Sequence, residues 1–297
     1  MLSVRVSEGH SLAPFETATP VPAADEALVE VHASTINRGE IDLIAARKIG
    51  WCPGQDVAGV VLAEAADGTG PKAGTRVIGL AEQGAWSEVV AVRASRLAPV
   101  PDEVDYATAA SLPMAGLTAL RTVRRLGDVL GKAVLVTGAN GGVGGMQVQL
   151  AQLSGAIVTG LIRNSEIKTL ADVTVTDLGH AGPFYGALDA IGGELIPTIV
   201  RQLRPRADLV WFGSGSGRSS ELTIYDFIGH EGVSIHTYFS YAADTAQDAA
   251  DLSVLLSLAA RRSLDPRVAS SRPLRQAAQA AEDLAHGGVS GKIVLTR

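Results

Sequence analysis

A glycine-rich turn between an apolar strand and a helix constrains the fold of this 297-residue chain more than any other feature. Residues 134–145 read Val-Leu-Val-Thr-Gly-Ala-Asn-Gly-Gly-Val-Gly-Gly, and a helical run follows at residues 146–153. The spacing Ala-x-Gly-x-x-Gly is the dinucleotide-binding fingerprint with alanine in first place. Backbone N–H groups at such a helix start can hold a pyrophosphate. The candidate residues are Gly138, Ala139, Gly141, Gly142, Val143 and Gly144.

Six candidate strands alternate with helical or loop segments in the middle of the chain, which predicts a doubly wound parallel sheet. They lie at residues 133–137, 157–162, 173–175, 187–189, 209–212 and 233–235.

The first hundred residues have a different pattern, with short valine-rich strands separated by Gly, Pro and Asp clusters. This pattern predicts a β-rich unit, a partly closed barrel. Its strands are expected at residues 27–33, 57–63, 75–79 and 85–92, helical segments at 107–126 and 246–285, and a last strand at 292–295.

Composition excludes several classes of protein. Apolar residues make up 46% and charged residues 19%, which excludes a disordered or fibrous chain. The net charge of −6 and the lack of any basic cluster larger than a pair exclude a nucleic acid partner. A lone cysteine and the absence of a long apolar segment predict a soluble, cytoplasmic protein without a membrane partner.

The glycine turn is also compatible with the short-chain dehydrogenases, because it reads Thr-Gly-x-x-x-Gly-x-Gly from Thr137 to Gly144. Those proteins carry the turn near the amino terminus and a Tyr-x-x-x-Lys pair after it. Here 136 residues precede the turn, and none of the five tyrosines has a lysine four places on.

Motifs along nearly the whole chain instead resemble the zinc-free quinone oxidoreductase branch of the medium-chain dehydrogenase/reductase superfamily. Besides the glycine turn they are Ser34-Thr-Ile-Asn37-Arg, Pro53-Gly-Gln-Asp-Val-Ala-Gly-Val-Val61, Gly84-Ala-Trp-Ser-Glu-Val-Val90, Leu112-Pro-Met-Ala-Gly-Leu-Thr118-Ala, Asp189-Ala-Ile-Gly-Gly193 and Gly291-Lys-Ile-Val-Leu295.

The resemblance implies an α/β chain of two domains. A GroES-like, partly closed β-barrel domain comprises residues 1–107 and 242–297, and a Rossmann domain comprises 108–241. It further implies NADPH as cofactor, a quinone or α,β-unsaturated carbonyl as substrate, and a homodimer paired through strand edges at 233–237. An NADPH-binding structural or redox-sensing protein without turnover remains the alternative, since zeta-crystallins belong to this branch.

The resemblance also implies roles for particular residues. Asn37 matches a residue beside the nicotinamide, although its amide could equally cap the turn before the helical segment 39–46. Thr118 matches a position at the nicotinamide end, and the alternative is a bond back to its own helical turn. The segment of Phe212, Gly213 and Ser214 matches a loop bordering the cofactor, the alternative being an ordinary turn.

The end of the second nucleotide-domain strand predicts the choice of cofactor. An acid there bonds the 2′-hydroxyl of NAD, but this chain has Ile162 at that position. Arg163, Asn164 and Ser165 follow and can donate hydrogen bonds to a 2′-phosphate.

No metal site is expected. Zinc-dependent relatives carry a Gly-His-Glu step where this chain has Gly54-Gln55-Asp56, and the six histidines show no ligand spacing. Cys52 has no neighbouring histidine or lysine, so we interpret it as an apolar filler rather than a reactive thiol.

Overall fold

The structure is a computed structural model that describes residues 1–297 and divides into two compact units. The first unit comprises Met1–Leu117 and Asp244–Arg297, and the second comprises Thr118–Ala243. Both divisions fall slightly later than the sequence-based boundaries. The first lies within the helix Pro113–Arg125, which continues from one unit into the other.

Fifteen strands and seven α-helices make up the chain. The strands are β1 (Leu2–Val6), β2 (Leu12–Glu16), β3 (Glu26–Thr35), β4 (Asp56–Ala63), β5 (Arg76–Leu80), β6 (Val89–Arg93), β7 (Leu97–Pro99), β8 (Ala133–Thr137), β9 (Ile157–Leu161), β10 (Val173–Val175), β11 (Phe184–Asp189), β12 (Leu203–Trp211), β13 (Ser234–Thr237), β14 (Val268–Pro273) and β15 (Lys292–Thr296). The helices are α1 (Arg38–Ala46), α2 (Tyr106–Ala110), α3 (Pro113–Arg125), α4 (Gly142–Leu153), α5 (Leu195–Val200), α6 (Asp248–Ala260) and α7 (Ala277–His286).

The long strand β3 is the centre of the first unit. One of its edges pairs with β4, and the other pairs first with β6 and then with β15, all antiparallel. The sheet continues from β4 through β5 to β7, and from β15 to β14. Alternate residues of β3 are buried, as expected for a strand with one face on the core: Ala27, Val29, Val31 and Ala33.

Trp86 fixes the carboxyl end of β3. Its side chain is fully buried, and its Nε1 donates a hydrogen bond to the carbonyl oxygen of Thr35 at 3.1 Å. A buried indole N–H needs such a partner. The last residue of β3 and the start of α1 are therefore held against the core of the unit.

The second unit is one six-stranded sheet in the order β10-β9-β8-β11-β12-β13. Every neighbouring pair is parallel. The strand order reverses between β8 and β11, and ligands of such sheets bind outside the carboxyl ends of the strands at that point. The predicted α/β class, with a β-rich unit and a doubly wound parallel sheet, is confirmed.

The carboxyl-terminal segment differs from its prediction. The spacing predicted a helix over 246–285, but α6 ends at Ala260 and the strand β14 precedes α7. Arg262 and Arg267 both adopt positive φ, and Pro266 stands between them, so the helix cannot continue. β14 then pairs in parallel with β15, a contact that the helical spacing could not reveal.

Other elements of the first unit, including β7, were also not predicted in this form. The chain begins with the antiparallel hairpin β1–β2. The predicted helix at 107–126 is divided into α2 and α3, because Pro113 cannot lie inside a helix but suits the start of one. No helix of the chain combines the length and the apolar character needed to span a bilayer.

Candidate functional site

The glycine turn of the second unit closes tightly onto the helix that follows it. Gly138 has φ +61°, and the N–H of Gly141 donates to the carbonyl oxygen of Gly138 at 2.8 Å. A Cβ on Gly144 would lie 2.2 Å from that same carbonyl oxygen, which no side chain can do. Glycine at positions 138 and 144 is therefore required by the path of the backbone.

The start of α4 leaves backbone donors without helical partners. The first bond of α4 runs from the N–H of Gly145 to the carbonyl oxygen of Gly141 at 2.8 Å. The N–H groups of Gly142, Val143 and Gly144 precede it and have no intrahelical acceptor. These groups lie at the positive end of a 12-residue helix, a geometry that fits a pyrophosphate.

A buried carboxylate joins the carboxyl ends of β8 and β11. Thr137 Oγ1 donates to Asp189 Oδ1 at 2.7 Å and accepts from the N–H of Ala190 at 3.0 Å, while the N–H of Gly192 donates to Asp189 Oδ2 at 2.7 Å. Burial raises the pKa of Asp189 and these hydrogen bonds oppose the rise. Asp189 thus fixes the two loops beside the point where the strand order reverses.

The loop after β12 lies against the same residues. The N–H of Phe212 donates to the carbonyl oxygen of Asp189 at 2.9 Å, and a Cβ on Gly213 would lie 2.5 Å from that of Ala190. Trp211 Nε1 donates to the carbonyl oxygen of Gly213 at 2.6 Å. Through residues 189–190, the structure brings the predicted loop Phe212–Gly213–Ser214 next to the loop that follows β11.

The end of β9 presents a cation rather than an acid. Ile162 is buried and its N–H donates to the carbonyl oxygen of Val175 at 3.0 Å. Arg163, Asn164 and Ser165 are exposed beyond it. The guanidinium of Arg163 has no ion-pair partner within the chain, and Asn164 Oδ1 accepts from the N–H of Glu166 at 2.9 Å.

Thr118 lies in α3 at the start of the second unit and is largely buried. Its carbonyl oxygen accepts from Thr122 Oγ1 at 2.7 Å, so the hydroxyl of Thr122 bonds back to its own helix.

In the first unit, Asn37 is the residue that starts α1. Its N–H donates to Glu40 Oε2 at 2.7 Å, which satisfies a donor at the helix terminus. The side chain of Glu40 thus caps the start of α1 through the backbone N–H of Asn37. Its side chain points into a group of polar residues, described next.

Four residues form a largely buried polar cluster: Asn37, Glu40, Asp56 and Lys292. Asn37 Nδ2 donates to Asp56 Oδ2 at 2.8 Å, and Lys292 Nζ donates to Asn37 Oδ1 at 2.6 Å. Lys292 Nζ also lies 3.5 Å from Asp56 Oδ2. Asp56 and Glu40 are fully buried and Asn37 is half-buried.

Asp56 also receives hydrogen bonds from two further elements. The N–H of Met114, in the first turn of α3, donates to Asp56 Oδ1 at 2.6 Å, and Thr35 Oγ1 donates to Asp56 Oδ2. A carboxylate at a helix start is favoured by the free N–H groups and by the helix dipole.

Two family models match the chain. "Alcohol dehydrogenase GroES-like domain" matches residues 23–102, and "Zinc-binding dehydrogenase" matches residues 166–295. The quinone oxidoreductase of Homo sapiens is 25% identical over 307 residues, covering 94% of this chain and 92% of that protein. Together these matches support the quinone oxidoreductase branch of the medium-chain dehydrogenase/reductase superfamily as the family of this chain.

Other members of this superfamily resemble the chain less completely or in fold alone. The chloroplastic quinone-oxidoreductase homolog of Spinacia oleracea is 33% identical over 160 residues, which cover 48% of this chain and 49% of that protein. The chain thus matches about half the length of that relative. The Escherichia coli quinone oxidoreductase, solved in complex with NADPH, is 22% identical with a TM-score of 0.91 and full coverage of both chains, and shows the shared fold.

Although one family model is named for zinc, no three His, Cys, Asp or Glu residues of the chain come together in a group that could hold a metal ion. Cys52 Sγ lies 3.6 Å from the carbonyl oxygen of Pro53, and burial raises the pKa of its thiol to about 12. The interpretation of Cys52 as an unreactive filler agrees with that environment.

The sequence alone assigned no role to Glu40, Lys292 or Asp189. Asp56 was noted only as the last residue of Gly54-Gln55-Asp56, which stands where zinc-dependent relatives have Gly-His-Glu. Lys292 and Asp189 were visible within motifs of the superfamily, but nothing indicated their partners. Lys292 and Asn37 are 255 residues apart, so no local spacing connects them.

Glu40 gives the first testable prediction. Burial, and then the negative charge of Asp56, raise the pKa of its carboxyl from 4.5 to about 8. Between these values the folded state holds a proton that the unfolded state releases, so this group lowers the free energy of unfolding as pH rises, by up to about 1.4 kcal/mol per pH unit. Glu40→Gln keeps an oxygen for the Asn37 N–H and does not titrate, so the variant should lose this slope.

Urea unfolding at intervals from pH 5 to 8 measures the difference between wild type and Glu40→Gln. Glu103→Gln, at an exposed glutamate of the same unit, serves as the matched control and should follow the wild type. Parallel pH profiles for wild type and Glu40→Gln would contradict a raised pKa at Glu40.

Proposed function

We propose that the protein is an NADPH-dependent oxidoreductase that transfers hydride, without zinc, to a quinone or an α,β-unsaturated carbonyl compound. The observation that carries this proposal is the glycine turn beside β11, combined with Arg163 in place of an acid at the end of β9. Similarity to the quinone oxidoreductase branch supports the same reaction class.

Each part of the cofactor has candidate partners in this chain. The N–H groups at the start of α4 and the turn before it suit the pyrophosphate, and Arg163, with Asn164 and Ser165, suits a 2′-phosphate. Thr118 and the loop of Phe212, Gly213 and Ser214 are proposed for the nicotinamide end. When bound, NADPH supplies the hydride, and the protein supplies position and electrostatics.

The proposed substrate class follows from the residues at hand. A hydride acceptor that is polarised neither by a metal ion nor by a side-chain acid must already be electron-poor, and quinones and conjugated carbonyls meet that requirement. In this chain the ammonium of Lys292 balances the negative charge of Asp56. The oxygens of Asp56 accept hydrogen bonds from Asn37, Thr35 and Met114. Asn37 is the proposed polar contact to the nicotinamide or the substrate.

The direct test is NADPH oxidation, followed by its absorbance, with a panel of quinones and enones and with protein dialysed against a chelator. We expect turnover with at least one member of the panel, unchanged by the chelator. No turnover with any member would favour an NADPH-binding structural or redox-sensing protein. Loss of activity to the chelator and its recovery with zinc, at one zinc per chain, would contradict the zinc-free assignment.

Arg163 provides the test of cofactor choice. A charge-assisted hydrogen bond contributes about 1.5–3 kcal/mol, so Arg163→Ala should weaken NADPH binding by roughly tenfold to a hundredfold and leave NADH binding nearly unchanged. Fluorescence titration of both cofactors measures this. Arg204→Ala removes an exposed arginine from the opposite, amino end of the sheet, in β12, and should change neither affinity. Equal losses for NADPH and NADH in Arg163→Ala would overturn the assignment.

The proposal includes a homodimer paired through β13. This strand is the last of its sheet and pairs only with β12, so one edge is open. Large apolar side chains near it in sequence are strongly exposed, at 78% for Ile224, 70% for Ile228 and 69% for Phe239. An open strand edge, with exposed apolar groups in the segments on either side of it in the chain, favours pairing with a second copy.

Light scattering should therefore give the mass of a dimer at micromolar concentration. Burial of one isoleucine is worth about 1.5–3 kcal/mol, so Ile228→Glu should raise the dimer dissociation constant by roughly tenfold or more. Val21→Glu, at a side chain that is 92% exposed in the first unit, should leave the mass unchanged. A monomer mass for the wild type would sink this part of the proposal.

A further inference from the structure

The side-chain amide of Asn37 is held at both ends. Its Oδ1 accepts from the ammonium of Lys292 at 2.6 Å, and its Nδ2 donates to Asp56 Oδ2 at 2.8 Å. Glu40 Oε2 also lies 3.4 Å from Nδ2. An amide turned by 180° would place its oxygen against the carboxylate of Asp56 and its N–H groups against the ammonium. The charges of Lys292 and Asp56 therefore select one of two amide orientations.

The ammonium that selects this orientation is expensive to bury. The side chains of Lys292 and Asp56 are 4% and 0% exposed, and their charged atoms lie 3.5 Å apart. A buried ion pair of this kind contributes little net stability compared with apolar residues of the same volume. Lys292 also starts β15, so its ammonium reaches the start of α1 from a strand far along the chain.

We propose that Lys292 is a positioning residue that fixes the orientation of the Asn37 amide for its contact with the nicotinamide or the substrate. This role rests on the proposed function for the identity of the ligand, but the fixing of the amide does not. Asp56 holds the ammonium in place, and Glu40 anchors the backbone of Asn37. Lys292 acts through Asn37 and does not itself touch a ligand.

A double-mutant cycle separates this role from a general effect of Lys292. Asn37→Ala and Lys292→Met should each lower kcat/KM for quinone or enone reduction by about tenfold or more. If Lys292 acts through Asn37, the kcat/KM of the double variant should be no lower than that of the less active single variant, because the amide that Lys292 positions is already absent. Losses that multiply in the double variant would overturn the proposal.

Loss of stability needs its own control, since Lys292→Met leaves the charge of Asp56 buried without its partner. Arg96→Met breaks another buried ion pair of the same unit, in which Arg96 Nε lies 2.6 Å from Asp248 Oδ2. Both variants should unfold more easily, but only Lys292→Met should lose kcat/KM. Similar losses of kcat/KM in both variants would show that stability alone accounts for the effect.

A second variant covers the case in which Lys292→Met does not fold. Lys292→Met with Asp56→Asn removes both charges together and keeps an oxygen for the N–H of Met114. This variant should fold and lose kcat/KM to the same degree as Asn37→Ala. Wild-type kcat/KM in this folded variant would contradict the positioning role.

The orientation of the amide can also be measured without cofactor or turnover. The side-chain ¹H–¹⁵N signals of Asn37, assigned by their loss in Asn37→Ala, should shift strongly in Lys292→Met and stay unchanged in Arg96→Met. If the wild type shows no turnover but these signals shift as expected, the proposed function fails and the positioning of the amide by Lys292 stands. Unchanged Asn37 signals in Lys292→Met would overturn the inference itself.

Discussion

The buried carboxylate of Asp56 is the interaction on which the first unit's candidate site depends. A charge without water needs partners, and Asp56 finds them at the end of β3, at the start of α1, at the start of α3 and in β15. Three parts of the chain that are distant in sequence, at residues 35–37, 114 and 292, therefore meet at one carboxylate. Their meeting places the amide of Asn37, and the same negative charge contributes to keeping a proton on Glu40.

The second unit also contains a buried carboxylate that accepts several hydrogen bonds. Asp189 is fully buried at the carboxyl end of β11, and its oxygens accept from Thr137 of β8 and from the backbone of its own loop. The two strands between which the sheet order reverses are thereby joined at their carboxyl ends. In both units a buried acid collects donors and so holds the loops in which the candidate residues lie.

Much of the fold could be predicted from local pattern. The glycine turn, the six strands of the second unit and the early valine-rich strands each carry their signal within a few residues. The strand β14 could not be predicted, since it exists through pairing with β15 and interrupts a segment with helical spacing. Asn37 was singled out from a motif, whereas its partners Lys292 and Glu40 were not, because their contact depends on the packing of distant elements.

The sequence by itself determined where the backbone must bend and where it can bind an anion. Glycine at 138 and 144 is demanded by the turn, and isoleucine at 162 followed by arginine at 163 determines which charge follows β9. Only the tertiary structure decided how Asn37 is oriented. Its amide is fixed by an ammonium 255 residues away and by a carboxylate 19 residues away, and electrostatic contacts of this kind exist only once the strands have paired.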